Sequence, residues 1–171
     1  MTNLPDPIEL DGVLLHRMDA PDDIACWTGE VSGDEGRSVS IIAEPPAVPS
    51  REALDAGRGV VADFDALAAS AARFLVAELA APGWGLSAEE RTRLSAPEPP
   101  FDAPEAIVWQ DGTWMIRFAE CGLAMGEDFG IGVLFAGSTP VSVEDLSDAE
   151  DVDPSDAEDA DPSEPEGVED R

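Results

Sequence analysis

Residues Gly126–Phe135 read GEDFGIGVLF, with Gly122 before the stretch and Gly137 after it. Two physical readings compete. The glycines either bare backbone amides to cradle a phosphate, or thin the side chains along one face of a strand. A dinucleotide-binding loop needs G-x-G-x-x-G between a strand and a helix, the third glycine letting the helix pack close. Gly130 and Gly132 fill the first two positions, but Phe135 fills the third, and the following AGSTPVSVEDL carries Pro140 and β-branched residues instead of a helical pattern. A Walker-type loop needs a lysine, and every basic residue of this chain is arginine.

The strand reading fits better. Phe129, Ile131, Val133 and Phe135 alternate with Gly130, Gly132 and Leu134, the period of a pleated strand. Glycine inside a strand marks a bulge, a ligand or the close approach of another backbone. A helix across the sheet is the expected neighbour. A partner lying over Gly130 and Gly132 is the functional alternative, with Glu127 and Asp128 beside it as further contact candidates.

Upstream, AIVWQ (106–110), Asp111-Gly112 and TWMIRF (113–118) form the strongest local signal. An Asp-Gly pair between alternating runs predicts a type I′ hairpin, in which both central residues need positive φ. A last strand is expected near Pro140–Val143. In the first third, GVLLHRM (12–18) reads as a strand, and CWTGEVS (26–32), the turn SGDEG and RSVSIIA (37–43) read as a hairpin with one buried face. Pro45, Pro46 and Pro49 end it.

Between these β regions the apolar spacing turns helical. Val60, Val61, Phe64, Leu67, Ala71, Phe74, Leu75 and Leu79 recur at three- and four-residue steps. Ser50 is placed to cap the start and Pro82-Gly83 stops the run. The pattern predicts one long helix, whose first turns are weakened by Gly57 and Gly59 and would admit a break or kink there. A short second helix is expected from Ser87, where SAEE forms a capping box through Glu90. The fold class is therefore α+β: a mainly antiparallel sheet with one long helix on one face, spanning 1–147.

The remainder, 148–171, differs in kind. SDAEDVDP (147–154) repeats as SDAEDADP (155–162), and such a segment buries too little apolar surface to offset its ordering entropy, so a disordered acidic tail is expected. Asp151, Asp153 and Ser155 fall at the first, third and fifth positions of a calcium loop. The glycine and bidentate glutamate of that loop are replaced by Asp156 and Pro162, which removes its turn and its main ligand.

The 171 residues carry 38 acidic and 9 basic side chains, a formal net charge of −29. A field of that sign repels nucleic acid and anionic lipid and draws basic proteins. No run of the sequence approaches a membrane span. MTNLPDPIELDG at the start has neither a basic region nor an apolar one, so a cytoplasmic location and free thiols at Cys26 and Cys121 are expected. The arginine and alanine usage points to a GC-rich bacterial genome.

Catalytic patterns are sparse. No serine sits in G-x-S-x-G. One histidine, His16, and two cysteines are too few for a structural zinc site without carboxylates. A Cys–His pair would need His16 to meet Cys26 or Cys121. Neither a cofactor nor a metal is expected. Of the four tryptophans, Trp109 and Trp114 read as core, while Trp84, in PGWG, is the candidate for partner contact.

Strands, an Ala-rich helix (GVVADFDALAASAARFLVAEL), a tryptophan connector (APGWGLSAEE) and closing strands with WQDGTWMIRF and FGIGVLF together resemble a group of uncharacterised bacterial domains. Some members of that group are encoded beside polymorphic toxins and are thought to be immunity proteins. The resemblance covers about residues 8–146 and implies a non-catalytic, protein-binding role. No functional residue transfers from it, and the repetitive tail and glycine-dense last third depart from the group. The alternative is a soluble domain with a small-ligand or enzymatic pocket near 126–135.

Overall fold

The computed structural model describes residues 3–32 and 36–147. The expected tail, 148–171, and the centre of the SGDEG turn lie outside the described residues. The chain runs through β1 (Ile8–Leu10), β2 (Val13–Met18), β3 (Ala25–Glu30) and β4 (Ser38–Ala43). Three helices follow: α1 (Arg51–Ala62), α2 (Phe64–Leu79) and α3 (Ala88–Leu94). It closes with β5 (Phe101–Trp109), β6 (Trp114–Cys121), β7 (Ile131–Ala136) and β8 (Thr139–Asp145). The strands form one eight-stranded sheet in sequence order.

Every neighbouring pair is antiparallel except β4 and β5, which run parallel with Ile41 opposite Val108. A parallel pair cannot be joined by a hairpin. The three helices are that crossover, so the sheet is two antiparallel four-strand meanders joined through a helical layer.

The core follows from strand alternation. Trp27, Ile41, Val108, Trp114, Ile116, Val133 and Phe135 all point to the helix side and are at most 7% exposed. Trp27 is fully buried, and its indole N–H donates to the carbonyl of Pro5 at 2.7 Å, which spares the cost of an unpaired buried donor. On the other face, Thr28 and Ser40 share a hydroxyl hydrogen bond of 2.8 Å. Arg117 there donates to Glu105 at 3.1 Å and to the carbonyl of Phe129 at 2.7 Å.

Where one long helix was expected, there are two. The chain leaves helical geometry at Asp63, with φ −120° and ψ 22°, while its N–H still bonds to Gly59 at 3.3 Å. The break lies beyond both glycines thought to weaken the helix. Its consequence is coverage: α1 packs on β1, β4 and β5, and α2 on β6, β7 and β8. One straight helix would leave part of so wide and twisted a sheet bare. Ser50 caps α1 as expected, accepting from the N–H of Ala53 at 2.9 Å, and α3 starts with the Ser87–Glu90 capping box.

The Asp-Gly turns exchange roles relative to the sequence reading. At 111–112 only Gly112 is left-handed, with φ +80°. The N–H of Gly112 bonds back to Trp109 and that of Trp109 to Thr113, both at 2.9 Å. This is a three-residue loop closed by a glycine bulge, not a type I′ turn. Asp111 instead accepts from the N–H and hydroxyl of Thr113. The type I′ pattern appears at Asp11-Gly12, with φ +45° and +91°, joining β2 to the short β1 that the apolar pattern did not show.

Candidate functional site

The glycine stretch is filled from within. Gly130 has φ +75°, and a side-chain carbon there would run into the carbonyl of Phe118. Gly132 lies on the outer face opposite Arg117 and Glu144. A carbon added to it would come within 3.0 Å of the Met115 sulfur and 3.3 Å of Glu144 Cβ. Both glycines are buried. The backbone neighbour that dictates glycine at 130 is therefore the adjacent strand, not the helix expected from sequence, and Gly132 makes room for a methionine.

Glu127 and Asp128 are exposed, just after a single 3-10 turn at Ala124–Gly126. Trp84 sits on a different segment, half-buried against the core between α2 and α3. Cys26 and Cys121 are not cross-strand neighbours. Cys26 pairs with Ile42, and Ile42 with Trp109, near the end of β5, whereas Cys121 pairs with Phe101 at its start. His16 is exposed, with Nδ1 3.6 Å from Asp6.

The structure collects chemistry elsewhere. A cleft of about 590 Å³ opens where the α1–α2 junction faces the β5–β6 and β7–β8 turns. Trp114 and Phe135 line it from the sheet side, opposite each other in the β6–β7 register. Their rings stack with centroids 4.3 Å apart and planes 15° from parallel. Val60 and Leu67 line the helix side. The rim is low, because a side-chain carbon at Gly59 or Gly137 would meet nothing within 4 Å.

Two carboxylates border this apolar wall, Asp63 and Asp111. Hydrogen bonds from the hydroxyl and then the backbone N–H of Thr113 hold the Asp111 carboxyl below its usual range. Asp63 makes no capping hydrogen bond to α2. It stands where the C-terminal end of α1 meets the N-terminal end of α2, so the two helix dipoles offset each other there. A recess with an apolar floor and carboxylates at its edge suits a cation carried on an apolar stem.

A second cleft, of about 510 Å³, lies at the other end of the sheet beside Phe101, Phe118 and the start of α2. There the chain supplies its own cation: Arg37 donates to Asp65 at 2.7 Å.

Sequence reasoning missed Asp63 and the Trp114–Phe135 pair as site residues. Asp63 is visible as a polar residue between Val60 and Phe64. The stacked pair depends on the β6–β7 register, which no local pattern carries. Comparison with protein-family models, curated proteins and solved structures returned no match.

Proposed function

We propose that this chain is a non-catalytic binding domain for a basic protein, an immunity-type inhibitor of a positively charged toxin being one instance. The carrying observation is how the charges are used. Arg37, Arg51, Arg58, Arg93 and Arg117 each lie within 4 Å of a carboxylate of the chain itself. Residues 1–147 still carry a net charge of −18, from 26 acidic and 8 basic side chains. Much of the cationic complement is thus spent internally, and the acidic surplus faces outward. Such a surface steers a basic partner to rapid, salt-sensitive encounter.

The alternative, a small-ligand or enzymatic pocket at 126–135, draws less support, since the chain's own atoms occupy the space beside Gly130 and Gly132. Among the described residues no helix is long and apolar enough to cross a membrane. A cytoplasmic setting agrees with the two free thiols.

Co-purification with mass spectrometry, using chains with and without 148–171, tests the reading. The expected result is an arginine- or lysine-rich protein held at low salt and shed at high salt. Retention only of neutral or acidic proteins, indifferent to salt, would refute it. A toxin gene beside the coding sequence would favour the immunity instance, and a metabolic operon the alternative.

A further inference from the structure

We infer that the cleft between the α1–α2 junction and the β5–β6 and β7–β8 turns receives the guanidinium of an arginine side chain from a basic protein, with Asp63 as its counter-ion and the Trp114–Phe135 pair as its apolar lining. The inference rests on the proposed function and names the chemistry by which the partner is held.

Three observations converge on it. The first is shape: a recess of about 590 Å³ with a low rim at Gly59 and Gly137 admits a side chain on a long stem. The second is composition. Trp114, Phe135, Val60 and Leu67, none more than 7% exposed, give the recess an apolar floor, and two exposed carboxylates at the margin supply the opposite charge.

The third is internal precedent. Asp63 and Asp65 stand two residues apart at the start of α2, in different clefts. Asp65 is met by Arg37, in a cleft also lined by Phe101 and Phe118. Among the described residues no arginine pairs with Asp63. A carboxylate beside an aromatic pair thus meets the chain's own arginine at one end of the sheet and, among the described residues, none at the other, the rings being tilted by 42° in the first pair and stacked within 15° in the second. Arginine suits the cleft better than lysine, because its guanidinium presents several donors in a fixed fork toward carboxylates and is more weakly hydrated than an ammonium.

The test uses the full chain, isotopically labelled and titrated with N-acetylarginine methylamide and its lysine counterpart, while amide and indole resonances are followed. The expected result is a set of shifts confined to Gly59, Asp63, Asp111, Trp114 and Gly137, larger for the arginine compound. Gly59→Leu places a side chain into the recess at a helical position where leucine is favoured over glycine, and lowers the affinity at least about tenfold with the fold retained. Asp63→Asn lowers it about three- to tenfold.

Shifts spread evenly over the carboxylate surface, or unchanged binding in Gly59→Leu, overturn the inference. Poly-arginine separates the two levels. If it binds at low salt without perturbing the cleft, the cleft is wrong and the broader reading stands. If it does not bind at low salt, both fall.

Discussion

Gly130 faces the main-chain carbonyl of Phe118 so closely that a single added carbon would overlap its oxygen. Backbone cannot retreat as a flexible side chain can. The left-handed φ of +75° adds a second reason for glycine, since other residues are strained there. Gly130 also closes the 3-10 turn ahead of β7, its N–H donating to the carbonyl of Gly126 at 2.9 Å.

Gly130→Ala is therefore expected to destabilise the protein by more than about 3 kcal/mol, the range of changes that combine a steric clash with backbone strain. Gly137→Ala is the control. Its φ is +62°, but the space beside it is open, so the cost is about 1 kcal/mol. Urea unfolding of both variants checks the contrast, and equal losses would refute the close-approach account.

Gly59→Ala should act in the opposite direction. The position is helical, with open space beside it, and the exchange removes backbone freedom from the unfolded chain. A gain of about 0.5–1 kcal/mol is expected, read as a raised midpoint in thermal or urea unfolding.

Glu90 ties α3 to the loop before β7. One carboxylate oxygen accepts from the N–H of Ser87 at 2.8 Å, the other from the N–H of Ala124 at 2.9 Å. These bonds, that from the Ser87 backbone foremost, hold its acid below the ordinary value of 4.5. A carboxyl depressed by folding contributes stability above its unfolded value, and that contribution is lost as pH falls through its folded value. Glu90→Gln should thus lower the urea midpoint at neutral pH, and the gap to the parent should close in acid. A gap independent of pH would show that the charge is not what the loop amide recognises.

Cys121 responds in the opposite sense. Burial foremost, aided by the nearby Glu90 charge, raises its thiol above the ordinary value of 9.0. Folding then favours the neutral thiol, so this contribution is constant at neutral pH. As pH rises past the ordinary thiol value, the unfolded chain ionises first and stability falls. In a Cys26→Ser background, alkylation of Cys121 should be slower in the native protein than in urea at the same pH, because the thiolate is the nucleophile. Equal rates would contradict its placement.

Much of this architecture was legible in local pattern. The alternation of Trp27 and Gly29 against Val39 and Ile41 gave the β3–β4 hairpin, and Ser50 and Ser87 marked the starts of α1 and α3. What escaped was set by tertiary demand. The break at Asp63 answers the width of a sheet that only the assembled chain possesses. The short β1 offers too few residues for periodicity, although Asp11-Gly12 carries the turn signal that an equally plausible Asp111-Gly112 does not use in that form. Gly132 was rightly read as a strand position, whereas Gly130 is a left-handed residue just before β7 and not part of the alternation; the atoms that require them, Phe118 and Met115, lie on the neighbouring strand and depend on register. The cleft is further from view still, because Asp63, Trp114 and Phe135 come from three separate segments.

The most direct test of the central claim is the affinity for poly-arginine as a function of salt, measured by fluorescence anisotropy on the full chain and on a chain ending at Ser147. An acidic binding body predicts association at low salt in both chains, weakening steadily as salt rises, with no affinity for heparin. Binding that vanishes entirely when 148–171 is removed, or a preference for heparin, would contradict it.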